Sequence, residues 1–278
     1  MLPADLTFAD SLRAMAGWNQ TPEDWRRFMA MEPHGCFVAE WNGQAAGTAT
    51  TVLYGKDLAW IGMVLVHPDF RRRGIGTGLL VQCIEYLQAR QVRCIKLDAT
   101  PQGRPCYEKL GFKDEWTLRR WEGEFSALAA AAGKEGIRTW TEADAARIDA
   151  MDSGAFGASR RELLSALARQ SYCALALEPR PGVPEGFGML RWGSRAFYLG
   201  PVTATSAQAG LVLVGALAAR TGGARVYWDI PDLNEAAVEW AARHGLSVQR
   251  SLTRMWLGDN STAGDPRRQF AIAAPELG

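Results

Sequence analysis

VLVHPDFRRRGIGTGLL, residues 64–80, sets three arginines against three alternating glycines, between an apolar run and a stretch with helical spacing. Cations beside glycine point to a negatively charged ligand that the backbone approaches closely, because glycine has no Cβ to hold it off. Three phosphate-gripping designs compete. A Walker A loop needs G-x-x-x-x-G-K-[ST], and no lysine stands here. A Rossmann turn needs G-x-G-x-x-G directly after a strand, whereas Gly74, Gly76 and Gly78 give G-x-G-x-G with HPDFRRR intervening. Asp98, about twenty residues on, keeps a dinucleotide reading open. In the third design, successive backbone N–H groups at a helix start wrap a pyrophosphate, where the unpaired donors and the helix dipole favour an anion.

The flanking stretches supply a frame. WIGMVLV reads as a buried strand. Leu79, Leu80, Cys83, Ile84 and Leu87 mark a helix over 76–90, VRCIKLDA is a further strand, and PCYEKLGF is a short helix stopped by Gly111. FVAEWNGQAAGTATTVL (37–53) reads as a hairpin turned by Asn42-Gly43. Strands alternating with helices predict an α/β (α+β) sandwich.

With these pieces in order, the sequence resembles the GNAT superfamily of N-acetyltransferases. Arg71-Arg72-Arg73-Gly74-Ile75-Gly76 after Val66-His67-Pro68 matches that family's pyrophosphate loop, [RQ]-x-x-G-x-[GA] after a V-x-P step. Tyr107-Glu108-Lys109-Leu110-Gly111-Phe112 matches its Y-E-x-L-G-F signature at the right separation. The resemblance implies acetyl-coenzyme A as cosubstrate, with Val64, Leu65 and Val66 pairing with the pantetheine arm. It assigns the pyrophosphate grip to Arg71, Arg72, Arg73, Gly74, Ile75, Gly76 and Thr77. Tyr107 becomes the acid that protonates the departing thiolate, or else a core aromatic. Asp98 matches the end-of-strand acid that serves some relatives as general base, or else caps a turn. Trp18 and Asn19, in a loop before a capped helix, are candidates for the acceptor pocket, with core packing the alternative for Trp18. Thr100 stands where the family usually has asparagine.

The chain also repeats itself. Trp60-Ile61-Gly62-Met63-Val64 parallels Tyr198-Leu199-Gly200-Pro201-Val202, and Gly111, Leu118 and Arg120 parallel Gly245, Leu252 and Arg254 at the same offsets. Asp98 and Asp229 each end a strand-like run. The alanine- and glycine-rich 124–136 reads as a linker, giving two tandem GNAT-like domains, 1–123 and 137–258, each a mixed, mostly antiparallel sheet flanked by helices, and a C-terminal tail, 259–278. The first strand of the first domain is short or missing. The second domain has Ala241 in the tyrosine's place and VTATSAQAGLVLV in the loop's place, so it reads as degenerate.

Composition narrows the partners. Over 278 residues the net charge is only +1, which argues against nucleic-acid binding. Cys36, Cys83, Cys94, Cys106 and Cys173 form no CxxC pair, and with His34, His67 and His244 no zinc cluster can be written. No metal, no membrane span and a reduced, cytoplasmic setting are expected. The expected reaction is acetyl transfer from acetyl-coenzyme A to a small-molecule amine, by an enzyme for which a homodimer is one assembly left open. Acetylation of a protein or peptide amine, and a non-catalytic coenzyme A sensor, are the alternatives.

Overall fold

The Asn42-Gly43 dipeptide turns β1 (Cys36–Trp41) into β2 (Gln44–Tyr54), with φ of +50° and +76° at its two residues. That mirror-image turn matches the twist of the strands it joins. β3 (Leu58–Val66) continues the meander, and α3 (Ile75–Ala89) crosses over to β4 (Cys94–Ala99), parallel to β3. Leu79, Leu80, Cys83 and Leu87 recur at helix spacing along α3 and are buried against β2 and β3. Ahead of the meander lie α1 (Leu6–Met15) and α2 (Pro22–Met31); behind it come α4 (Arg104–Lys109) and β5 (Lys113–Gly123).

The structure, a computed structural model, describes residues 1–126, 129, 135–261 and 263–278; the expected linker lies for the most part outside them. The second half repeats the first: α5 (Ala145–Phe156), α6 (Arg161–Gln170), β7 (Cys173–Leu177), β8 (Gly186–Arg191), β9 (Phe197–Ala204), α7 (Ala207–Ala218), β10 (Val226–Pro231), α8 (Glu235–Arg243) and β11 (Ser247–Gly258). It adds β6 (Ile137–Thr139) in front. In the first half the amino group of Met1 donates to the Cys36 carbonyl at 2.7 Å, beside the start of β1, and no strand precedes α1.

The sheet does not stop at the repeat boundary. Its strand order is β1-β2-β3-β4-β11-β5-β10-β9-β8-β7-β6, twelve strands with β12 (Gln269–Ala271) attached to β9. The last strand of each half lies in the other's territory: β11 pairs with β4, and β5 with β10. Two buried ion pairs repeat across this exchange. Asp98 on β4 takes both oxygens to Arg254 on β11, at 2.9 Å each, and Asp229 on β10 does the same with Arg120 on β5. Residues of α1, α2, α5 and α6 share one apolar core with the chain's last residues, whereas α3 and α7 head separate cores. Residues 269–278, expected as part of a tail, are buried throughout except for half-buried Pro275. Tyr54 Oη donates to the Leu277 carbonyl and Trp60 Nε1 to the Pro275 carbonyl, at 2.6 and 2.9 Å, which fixes this segment between the halves. Among the described residues no helix is long and apolar enough to cross a membrane.

Candidate active site

β3 and β4 pair only over Leu58–Trp60 with Cys94–Lys96. Past that point both are drawn away. A bulge bends β3, where Met63 takes φ +52° and the register to β2 slips between Gly62 and Leu65. β4 meanwhile turns to β11. The strands part and leave a cavity between them. Met63, Val64, Asp98 and Tyr107 of the first half wall it, together with Arg250 of β11 and Glu276 of the final segment.

Val64 and Tyr107 also border a groove that runs out along Leu65 and Val66 to the start of α3. There Gly74 takes φ +79°, a conformation that costs a side-chain-bearing residue about 1–2 kcal/mol. The first intrahelical bond runs from Gly78 N–H to the Gly74 carbonyl at 2.9 Å, so the N–H groups of Ile75, Gly76 and Thr77 have no helical acceptor. A Cβ on Gly74 or Gly78 would meet nothing within 4 Å, and one on Gly76 only Val66 at 3.6 Å. The cradle is thus open on its ligand side because the side chains are missing, and its donors face an anion-sized space. That is the fit a pyrophosphate requires.

Arg71 and Arg72 border the groove, Arg71 anchored through Nε to the Val66 carbonyl at 3.2 Å. Arg73, expected in the same grip, is turned to the other side of α3. Its guanidinium lies 5.5 Å over the Trp41 ring, where the aromatic face attracts it. Val64, Leu65, Val66, Ile75, Gly76 and Thr77 all line the groove. Tyr107, half-buried on α4, packs edge-on to Phe112 and opens on both cavity and groove. Burial pushes its phenol up to about 12, which keeps it protonated as an acid must be.

The two other polar candidates are committed elsewhere. The Asp98 carboxylate is fully enclosed and both its oxygens are taken by Arg254, whose guanidinium is stacked against Trp60 and Trp116. Burial raises its pKa against the pull of that arginine. Asp229 keeps the same bond to Arg120 in the half that lacks the glycine cradle, so the pair braces the sheet in both halves. Asn19 is likewise saturated: it donates to the Ala196 carbonyl and accepts from the N–H groups of Arg195 and Ala196, all at 3.0 Å, tying the halves together. Trp18 does line the cavity.

Residues 7–112 match the model of the acetyltransferase (GNAT) family, and residues 148–271 match that of a further acetyltransferase (GNAT) domain. The chain belongs to the GNAT acetyltransferases, in tandem form. A putative acetyltransferase from Pyrococcus horikoshii superposes with a TM-score of 0.86 at 27% identity, over 100% of this chain and 94% of that one. An uncharacterized N-acetyltransferase of Bacillus subtilis, YitH, is 27% identical over 222 residues, 79% of this chain and 77% of its own. A tandem GNAT protein from the clavulanic acid biosynthesis pathway shares the fold, with a TM-score of 0.61 at 15% identity over 90% of this chain and 93% of that one.

In the second GNAT unit the corresponding wedge is closed by the chain itself. β9 and β10 pair only over Phe197–Leu199 with Val226–Trp228, the same three-residue overlap as β3 and β4. Along the freed part of β9 runs β12, with Gln269 opposite Thr203 and Ala271 opposite Val202. Phe270 fills the space over Gly210 of α7, where a Cβ would come within 2.2 Å of its ring, and Ser206 caps the helix start through Ala209 N–H. Beyond this plug the chain crosses to the first unit and brings Glu276 over Gly62, whose Cβ, if present, would lie 2.6 Å from that of Glu276. Glu276 and Arg250 were not among the residues the sequence singled out. The available signal was a lone acid within the apolar run QFAIAAPELG.

Proposed function

We propose that this chain is an acetyl-CoA-dependent N-acetyltransferase that acts on a small-molecule amine at the site in its first half. The observation that carries this reading is the continuity of the glycine–arginine cradle, the parted edge of β3 and the Tyr107 cavity. A diphosphate, an extended arm and a thioester would follow one another along that path. When bound, acetyl-CoA supplies an activated acyl carbon. Arg71, Arg72 and the free N–H groups at the α3 start hold the diphosphate. The β3 backbone at the bulge stabilises negative charge that develops on the acyl oxygen. Tyr107, which burial keeps protonated, hands its phenolic proton to the departing sulfur. A small acceptor is favoured because β11 and Pro275–Glu276 wall the cavity from the side opposite β3 and narrow it.

Thiol release in the presence of acetyl-CoA and a panel of amines tests the reading. Tyr107→Phe is expected to lower kcat on the order of 10²-fold with acetyl-CoA affinity unchanged. Acetyl-CoA binding without any thiol release would mean a sensor instead.

A further inference from the structure

The region where the halves meet, in and around the cavity, holds far more charge than a hydrophobic acceptor needs, and much of it is already paired. Asp98 is bonded to Arg254, Asp229 to Arg120 and Asp24 to Arg27. Arg191 donates to the carbonyls of Gly200 and Ala273. After these pairings two charged walls are left over among the described residues. Arg250 makes no hydrogen bond or ion pair, and its buried Nε has no acceptor. Glu276, 6% exposed, forms no salt bridge, although it walls both the main cavity and a small polar recess beside it. Gln20 is the one side chain hydrogen-bonded to the Glu276 carboxylate. A buried guanidinium donor without an acceptor and a buried carboxylate without a salt-bridge partner are each costly, by several kcal/mol for an ion in a dry interior. Their persistence in one cavity is accounted for if a ligand supplies the missing partners. One unmatched cation and one unmatched anion call for a ligand that carries one of each.

Resting on the acetyltransferase reading above, we propose that the acceptor is an aminocarboxylate, whose carboxylate is held by Arg250 and whose amine is received by Glu276. Trp18 and Leu252 supply the apolar walls of the same cavity, suited to a hydrocarbon side chain. In the transfer the amine nitrogen forms the new bond to the acyl carbon as the carbon–sulfur bond breaks. The ammonium first gives one proton to Glu276, which passes it to solvent, and this frees the nitrogen lone pair for attack. After attack the nitrogen loses a second proton to Glu276, and Tyr107 gives one to the sulfur and is reprotonated in turn. Two protons leave nitrogen, one arrives on sulfur and one is released to water, and no oxidant is required. Glu276 thereby takes the role that Asp98, held by Arg254, cannot fill.

The test compares L-leucine with isoamylamine and L-phenylalanine with phenethylamine, pairs that differ only in the carboxylate. Acetyl-CoA binding is first measured by calorimetry, and thiol release then gives kcat/KM for each amine. The proposal expects the carboxylated member of a pair to be favoured by about 10- to 100-fold, the discrimination a buried charge-assisted hydrogen bond provides. In Arg250→Gln that ratio should collapse toward one, and Arg250→Lys should restore part of it. Glu276→Gln should lower kcat for both members. Equal use of both members by the wild type, an Arg250→Gln variant that keeps the ratio, or no turnover of any of the four with acetyl-CoA binding intact would each overturn it. Loss of acetyl-CoA binding itself would instead overturn the underlying functional reading, so the two failures are distinguishable.

Discussion

Replacing Arg254 by methionine tests whether the exchanged strands make the two halves one cooperative unit. The guanidinium is 3% exposed and its partner, the Asp98 side chain, 0%. Methionine fills much of the arginine's volume between Trp60 and Trp116 but leaves a carboxylate buried without its cation, at a cost of about 3–5 kcal/mol. With 278 residues and about 2.1 cal/mol/K of unfolding entropy per residue, the melting temperature should fall by about 5–9 °C. The sign of the pH dependence follows from burial, which favours the protonated acid in the folded chain. Such a raised carboxyl loses stability as pH rises through its folded pKa. The variant's deficit should therefore shrink toward pH 4 and widen at neutrality. Asp98→Leu combined with Arg254→Met should recover most of the loss, since it removes the stranded charge. Differential scanning calorimetry reads all three quantities, and it should show a single transition. A shift under about 1 °C, or a transition split in two with only one part moved, would refute the argument that β11 and β4 join the halves.

Four further outcomes follow. Asp98→Asn, assayed below its melting temperature, should keep kcat within about tenfold of the wild type, against the 10²–10⁴ expected from loss of a general base. Gly76→Leu should fill the cradle and abolish acetyl-CoA binding with little change in melting temperature, because its Cβ meets only Val66 at 3.6 Å. Gly62→Ala forces a Cβ to within 2.6–2.9 Å of Glu276 and should cost about 1–3 kcal/mol and depress turnover, readable by urea titration and thiol release. Tyr107, raised to about 12, should impose no alkaline loss of kcat up to about pH 10, which a pH–rate profile would show; its contribution to stability should fade only as pH rises from about 10 toward 12.

The local elements were legible because their signals are local. Asn42-Gly43 dictates a turn, alternating glycines after arginines dictate a cradle, and the leucine spacing of α3 dictates a buried face. The internal repeat was legible too, down to the matched Asp98–Arg120 and Asp229–Arg254 positions. Which aspartate meets which arginine was not, because the partners are 156 and 109 residues apart and the exchange of β5 and β11 is a property of the whole sheet. The same limit explains Arg73, whose direction depends on Trp41 across α3, and Asn19, whose three bonds all go to residues 195–196. Glu276 escaped notice because its position over Gly62 arises only once β12 has docked on β9. A stretch that reads as a tail proves to plug one GNAT unit and complete the other.

The central claim is that one GNAT unit works and the other is filled by its own chain. Calorimetric titration of acetyl-CoA into the purified protein, read for stoichiometry, tests it most directly. One site per chain is expected, lost on charge reversal of Arg71 and Arg72 and retained in Phe270→Ala. Two sites per chain would contradict the plug at β12, and no binding at all would contradict the cradle.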